Sequence, residues 1–418
     1  MALNKPPEPK GYTFYGPKPH LPDVPYGEWK ARIEKARSLM EEEGIDLLLL
    51  ASEKNCRYFT ASTHGHWLAP SLQPQVALIP LKGECVIVCG EFFRTTFEAQ
   101  SWIRDIRCQP DPHQIEHERE FPAEVAGLIK EMGCGQGKIA VEQGPLGHMY
   151  IPRPPNHLKR FVEELPEATL ADGDRIIWSC RQIKSPLEID RMRKAAAIHR
   201  QAMSTIVEEY RPGMTEKDVG KIFMHSLIES GADWTQSSHI CCGADKEGVF
   251  DCSHQFDGIA INKGDYIWID IVVPYMGYWA DNGRVFNVGP VSDELRKNYE
   301  ITWEAFDAAA EAAGPGIKAS QVWQAQADVL KKAGFEAFEM CGHGIGLDIH
   351  EPPVLGYSDD TALEPGMTLE LEILVFPGFR RTGGLGPIHY ENMLIIGEEG
   401  CEMIHGLKRD IIQVSHSS

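Results

Sequence analysis

Asp270 and Asp281 lie in a segment that reads strand, Pro/Gly turn, strand: Tyr266-Ile-Trp-Ile-Asp270-Ile-Val-Val-Pro-Tyr-Met-Gly-Tyr-Trp-Ala-Asp281. Folded about Tyr275-Met276, this hairpin is expected to set the two aspartates directly opposite one another. Cross-strand partners have Cβ atoms roughly 4.5–5.5 Å apart, near enough for both carboxylates to grip one cation. Two such charges in an apolar strand repel, and a divalent ion is the simplest compensation.

A second pair follows the same logic. Leu369-Glu-Leu-Glu372-Ile-Leu-Val-Phe376 reads as a strand, residues 377–387 as a glycine-rich loop, and Ile388-His-Tyr-Glu391-Asn-Met-Leu-Ile-Ile396 as the returning strand. Glu372 and Glu391 are equidistant from Arg381-Thr382 and are expected to face each other. Glu370 shares the parity of Glu372 and competes for the role. Between the hairpins stands Cys341-Gly-His343-Gly-Ile-Gly-Leu-Asp-Ile-His350. Its glycines allow close backbone approach, and imidazole is a common ligand. Four carboxylates and one imidazole suit Mn²⁺, Fe²⁺ or Co²⁺, with Zn²⁺ admitted in an open rather than a closed structural site. There are donors enough for one or two divalent ions.

The elements that must position these groups divide the chain in three. Residues 1–25, rich in Pro, Gly and Tyr, read as an irregular arm. Residues 26–180 read as an α/β domain: a helix with Trp29, Ile33, Ala36, Leu39 and Met40 on one face and Gly44 as its stop, then apolar strands at 45–50, 76–80 and 84–89. Residues 181–418 open on Ser185-Pro-Leu-Glu188, an N-cap serine with proline at N1 and glutamate at N3. Within this part Pro212-Gly213, Val219 and Gly231 match Pro315-Gly316, Val322 and Gly334 at an offset of 103, and Gly264/Asp270 match Gly366/Glu372 at 102. Two copies of a helix-plus-strand unit predict an α+β domain with pseudo-twofold symmetry and a site fed by both copies.

Bulk properties narrow the partners. Over 418 residues, 41 Lys and Arg stand against 61 Asp and Glu, a net charge of −20. Such a surface repels phosphate backbones and anionic lipid, so neither nucleic acid nor membrane is expected as a partner. The eleven cysteines are scattered, with none spaced Cys-x-x-Cys, and no secretory leader is legible at the N-terminus. Both point to reduced thiols and a cytoplasmic location.

The spacing of Asp270, Asp281, His343, His350, Glu372 and Glu391 resembles the M24 family of methionine aminopeptidase, aminopeptidase P, prolidase and creatinase. Arg181-Gln-Ile-Lys-Ser-Pro-Leu-Glu-Ile189 looks like that family's entry helix, and the strand at 45–50 with Asn55-Cys-Arg-Tyr58 resembles its N-terminal domain. The resemblance implies a "pita-bread" catalytic domain and metal ligands Asp270, Asp281, His343, Glu372 and Glu391. It also implies a catalytic proton shuttle at Glu372, with His254 and His350 handling substrate and leaving-group charge. It implies a homodimer in which the segment around Trp67 reaches the substrate. Arg284 is expected beside Asp281 as a supporting or substrate-binding group.

Three departures reshape the pocket. Ile373 follows Glu372 where proteolytic members have Pro, Val272 stands where they have Gly, and His389 replaces an Arg. His389, two residues before Glu391, is expected to border the substrate and to favour a compact substrate over ordinary Xaa-Pro dipeptides. The reading is a hydrolase of a C–N bond in a dipeptide, Xaa-Pro-like or small amino-acid-derived substrate. The alternatives are a creatinase- or ectoine-hydrolase-like enzyme or dimethylsulfoniopropionate lyase, and, outside enzymes, an inactive peptide-binding relic.

Overall fold

The structure is a computed structural model that describes residues 20–63, 75–109, 115–142, 155–233, 239–243, 260–375, 388–407 and 409–414. The chain divides into two compact units, Met1–Cys180 and Arg181–Ser418.

In the first unit six strands form one mixed sheet: β1 (Leu47–Leu50), β2 (Val76–Pro80), β3 (Val86–Gly90), β4 (Asp105–Gln109), β5 (Lys138–Val141) and β6 (Thr169–Asp172). Their order is β4-β3-β2-β1-β5-β6. β1 is central, antiparallel to β2 and parallel to β5. A strand covered on both faces has no reason to alternate, which is why four consecutive leucines suit this place. Ahead of it the helix Tyr26–Glu43 buries Ile33, Ala36 and Met40 and stops at Gly44, whose φ of +65° only glycine adopts without strain. Among the described residues, no helix is long and apolar enough to cross a membrane.

The second unit carries nine strands among the described residues: β7 (His239–Gly243), β8 (Tyr266–Tyr275), β9 (Tyr278–Val288), β10 (Met340–Gly344), β11 (Glu351–Gly356), β12 (Thr368–Val375), β13 (Ile388–Ile396), β14 (Cys401–Met403) and β15 (Ile412–Val414). Seven form the sheet β11-β10-β12-β13-β9-β8-β7, with β14 against β13 and β15 against β9. The helix Pro186–Glu209 opens on Ser185 with a full capping box, as its sequence predicts.

The repeat is visible in the backbone. Helices Glu216–Glu229 and Ala319–Lys332 begin and end at matching positions of the two copies. Gly213 and Gly316 have φ of +89° and +81°, Gly231 and Gly334 +95° and +86°, Gly264 and Gly366 +95° and +89°. Each pair reverses the chain at the same place in its copy.

Period-2 alternation then sorts the strands. Ile267, Ile269, Ile271 and Val273 of β8 pack with Met203, Ile206, Phe223 and Leu227 of the helices. Leu369, Leu371, Ile373 and Val375 of β12 pack with Tyr299, Phe306 and Leu330. Each such side chain, fully buried, contributes about 1.5–3 kcal/mol. The helices therefore hold one face of the sheet, and the intervening residues of the same strands line the other. That other face carries Trp268, Asp270, Asp281, Gly283, Glu370, Glu372, His389 and Glu391.

Candidate metal centre

The β8–β9 hairpin turns through Met276 and Gly277, with φ of +47° and +76°, and Tyr275 pairs with Tyr278. Positive φ at both loop positions is the two-residue turn that matches strand twist. The turn centre is thus one residue later than expected, and the register moves by two. Asp270 faces Gly283 and Asp281 faces Val272. The aspartates are diagonal neighbours on one face rather than direct partners. On the other hairpin Glu372 does face Glu391.

Although diagonal, the aspartates converge. Asp270, Asp281 and Glu391 each bring an oxygen within 4.8 Å of the others, and Glu372, Glu391 and His389 bring donor atoms equally close. Asp281 Oδ1 and Glu391 Oε2 are buried without a hydrogen-bond partner. Burial, then repulsion from Asp270 and Glu372, pushes the Asp281 carboxyl well above its usual range. Burial and the charges of Asp281, Glu370, Asp270 and Glu372 do the same to Glu391. Glu372 sits lower than usual despite burial, because His389, His343 and His350 surround it. A divalent cation is what these orphaned oxygens fit, since it cancels the repulsion that folding has concentrated.

His343 arrives on β10, where its Cα registers with Glu370 of β12. Gly342 and Gly344 flank it because a Cβ at either would run into backbone, the Glu370 carbonyl in one case and the Pro352 carbonyl in the other. His343 Nδ1 lies 3.0 Å from the Gly344 carbonyl oxygen. A carbonyl can only accept, so Nδ1 carries the proton and Nε2 keeps the lone pair that a metal needs. The His350 ring lies 3.9 Å from that of His343, centroid to centroid, and His350 is exposed. Its loop is pinned by Trp279 Nε1 donating to the Leu347 carbonyl at 3.0 Å and by Lys184 Nζ donating to Glu351 at 2.8 Å.

Glu370 is fully buried with neither oxygen hydrogen-bonded. Burial, then the charges of Asp281 and Glu372, raises its carboxyl well above the usual range. It lies one strand step deeper than Glu372, which is partly exposed.

Two side chains expected at the substrate are buried. The His389 side chain has no solvent-accessible surface, so its burial lends the expected compact-substrate preference no support. Arg284 is also buried, at 3 % exposure. It donates to the Gly283 carbonyl at 2.7 Å, to the Glu391 carbonyl and to Asn392 Oδ1 at 3.2 Å, and it packs over the Tyr390 ring. Its guanidinium supports the strand that carries Glu391. His254 and Trp67 lie outside the described residues. Sequence reasoning passed over Trp268 and Gly283, which seat His389. The signal for Trp268 was its parity with Asp270.

A pseudo-symmetric sheet thus gathers buried carboxylates and a histidine with a free Nε2 lone pair, a donor set that could hold a metal ion. The chain belongs to metallopeptidase family M24, whose sequence model matches residues 190–398. A creatinase/prolidase N-terminal domain model matches residues 32–183. The chain is 26 % identical over 396 residues to a Xaa-Pro dipeptidase of Pyrococcus furiosus, covering 92 % of this chain and all of the relative. An ectoine hydrolase of Halomonas elongata is 25 % identical over 411 residues, covering 92 % and 96 %. A solved Xaa-Pro dipeptidase from Bacillus anthracis superimposes with a TM-score of 0.77 at 26 % identity, over 92 % of this chain and all of the other. The architecture is an α/β N-terminal domain followed in sequence by a pita-bread domain.

Proposed function

We propose that this protein hydrolyses a C–N amide bond in a dipeptide, Xaa-Pro-like or small amino-acid-derived substrate. The observation that carries this reading is the convergence of Asp270, Asp281 and Glu391 on one point, with orphaned oxygens on Asp281 and Glu391 and with His343 holding its Nε2 lone pair. Asp270, Asp281, His343, Glu372 and Glu391 would hold one or two divalent ions, with manganese, iron or cobalt favoured by the donor set. Bound there, such ions supply Lewis acidity and lower the pKa of water. Glu372, the partly exposed carboxylate, accepts the proton and passes it to the leaving nitrogen. His350, exposed beside His343, donates to the developing oxyanion, and His254 is assigned the same duty. The similarity to ectoine hydrolase keeps a small amino-acid derivative as a second reading. Val272 shares the site face of β8 with Asp270, whereas Ile373, expected to reshape the pocket, packs in the core on the other face of β12. We also read the protein as a cytosolic homodimer in which Trp67 reaches the substrate. Eight cysteines, Cys56, Cys85, Cys89, Cys108, Cys134, Cys180, Cys341 and Cys401, are free thiols, which suits a reducing compartment.

The test is elemental analysis followed by turnover of Ala-Pro, Gly-Pro, a longer Xaa-Pro peptide, ectoine, creatine and dimethylsulfoniopropionate on manganese-, cobalt- and iron-loaded protein. A kcat/KM of about 10⁴ M⁻¹s⁻¹ or more on a C–N substrate is expected. Full activity of metal-free protein, or turnover of the sulfonium compound alone, overturns the reading.

A further inference from the structure

Two of the histidines around the glutamates of this site, His343 and His389, have Nδ1 atoms with opposite partners. His343 Nδ1 faces a carbonyl, as shown above. His389 Nδ1 lies 2.9 Å from Trp268 Nε1. An indole nitrogen can only donate, so His389 Nδ1 must hold a lone pair, and in the neutral ring Nε2 must hold the proton. That Nε2 is buried, has no hydrogen-bond partner, and stands 3.7 Å from Glu372 Oε2 and 3.8 Å from Glu391 Oε2. On proximity alone His389 joins the two glutamates as a third ligand. The hydrogen-bond chemistry forbids it, because a protonated nitrogen offers a metal nothing.

We infer that His389 is a positioning residue: an N–H donor, fixed in one tautomer by Trp268, that faces the Glu372/Glu391 pair from outside the metal's coordination sphere. The ring is held there sterically as well. Gly283, across from Asp270, leaves the hole the imidazole fills, since a Cβ at 283 would strike ring atoms Cε1 and Nδ1. The His389 and Trp268 rings meet edge to face at 5.7 Å. Three residues on three strands thus cooperate: Trp268 sets the proton, Gly283 sets the position, and His389 presents the donor. The two glutamate oxygens stand slightly beyond hydrogen-bond reach, and a small turn of either carboxylate would bring an oxygen onto the donor. Outer-shell donors of this kind orient ligating carboxylates and are typically worth 10–100-fold in metal affinity.

The inference rests on the metal-centre reading, and the experiment separates the two. In histidine-labelled, metal-free protein, long-range ¹H–¹⁵N correlation should show His389 protonated on Nε2, with the signal identified by its loss in His389→Gln. Trp268→Phe should abolish that preference. Protonation on Nδ1 in wild-type protein overturns the inference whether or not the protein binds metal. Manganese titration should then show His389→Gln, which retains an N–H donor, within about threefold of wild type. His389→Leu should fall about 10–100-fold, with both variants melting near wild type when metal-free. X-ray absorption of the cobalt-loaded protein should count one imidazole, lost in His343→Gln and retained in His389→Gln. Two imidazoles, or equal metal affinity of His389→Leu and wild type, overturns it. If wild-type protein binds no metal at all, the metal-centre reading fails, while the tautomer measurement still decides whether His389 is the fixed donor.

Discussion

His405 Nε2 stands 3.0 Å from His199 Nδ1, and both rings are sealed from solvent. His199 Nε2 in turn reaches the carbonyl of Ile271 at 2.9 Å, one residue from Asp270. Carbonyl acceptance fixes His199 with its proton on Nε2, so its Nδ1 accepts from His405. The chain of neutral imidazoles ties the helix Pro186–Glu209 and the C-terminal segment to the back of β8.

A pH dependence follows from that pair. Burial, and then Arg284, depresses His199 to about 3, against the opposing bond to Ile271. Burial, His199, Arg284 and Arg200 depress His405 well below its usual value. Between about 6.5 and these lower values the unfolded chain binds protons that the folded chain refuses, so stability falls as pH falls. The slope is at most about 1.4 kcal/mol per pH unit per histidine. The raised carboxylates Asp281, Glu370 and Glu391 act in the opposite sense in metal-free protein. The difference between wild type and His199→Leu/His405→Leu isolates the histidines. Urea midpoints at pH 7.5, 6 and 5 should show the wild type losing stability relative to the double variant as the solution is acidified. Parallel curves would remove the pair from the pH response.

Glu370 and Glu372 should part company on substitution. Glu370 is buried without a partner, and replacing such a group by an apolar one of similar shape is neutral or stabilising. Glu370→Met is expected to retain metal and to melt at or above the wild-type temperature. Glu372→Gln is expected to lose most of the metal. Loss of metal in Glu370→Met would move Glu370 into the centre.

Much of this centre was legible because strand parity is rigid: once 270 and 372 face one way, their faces are known along the whole strand. The Glu372/Glu391 register was readable from equidistance. The Asp270/Asp281 register was not, because a methionine at φ +47° occupies a loop place where Asn or Gly is the usual signal. His389 was assigned the right face and the wrong depth. Its depth depends on Gly283, whose missing Cβ is a three-dimensional fact about a neighbouring strand. The burial of Arg284 was hidden in the same way: nothing in its spacing shows that the Gly283 and Glu391 carbonyls use its guanidinium.

Gly342 carries a prediction about backbone instead of chemistry. Its φ is +146°, and an added Cβ would collide with the Glu370 carbonyl on β12, a backbone atom that cannot swing aside. Gly342→Ala should push β10 off β12 and carry His343 away from Glu372. A destabilisation of about 2–4 kcal/mol by urea titration, with metal affinity reduced at least tenfold, is expected. Wild-type metal affinity in a folded Gly342→Ala protein would show that the approach of these strands does not set the His343 ligand.

His350 separates holding the metal from using it. It is exposed and meets the His343 ring edge to face, and His343 Nδ1 is satisfied by its own neighbour's carbonyl, so His343 does not need His350 to keep its orientation. Its loop is anchored elsewhere: Glu351 takes hydrogen bonds from Lys184 at 2.8 Å and from the Asp348 amide at 3.1 Å. Arg181 and Lys184 offset the cost of burying Glu351 and hold its carboxyl down at about 2. Removing the imidazole should therefore leave the loop and the metal in place. The expected result for His350→Ala is unchanged metal content and thermal midpoint, with kcat lowered about 10²–10⁴-fold, the range for losing a general acid or an oxyanion donor. A KM effect alone would make His350 a binding group whose interaction is equal in ground and transition states. Loss of metal together with retained turnover after reconstitution would remove it from the chemistry and place it among the ligands.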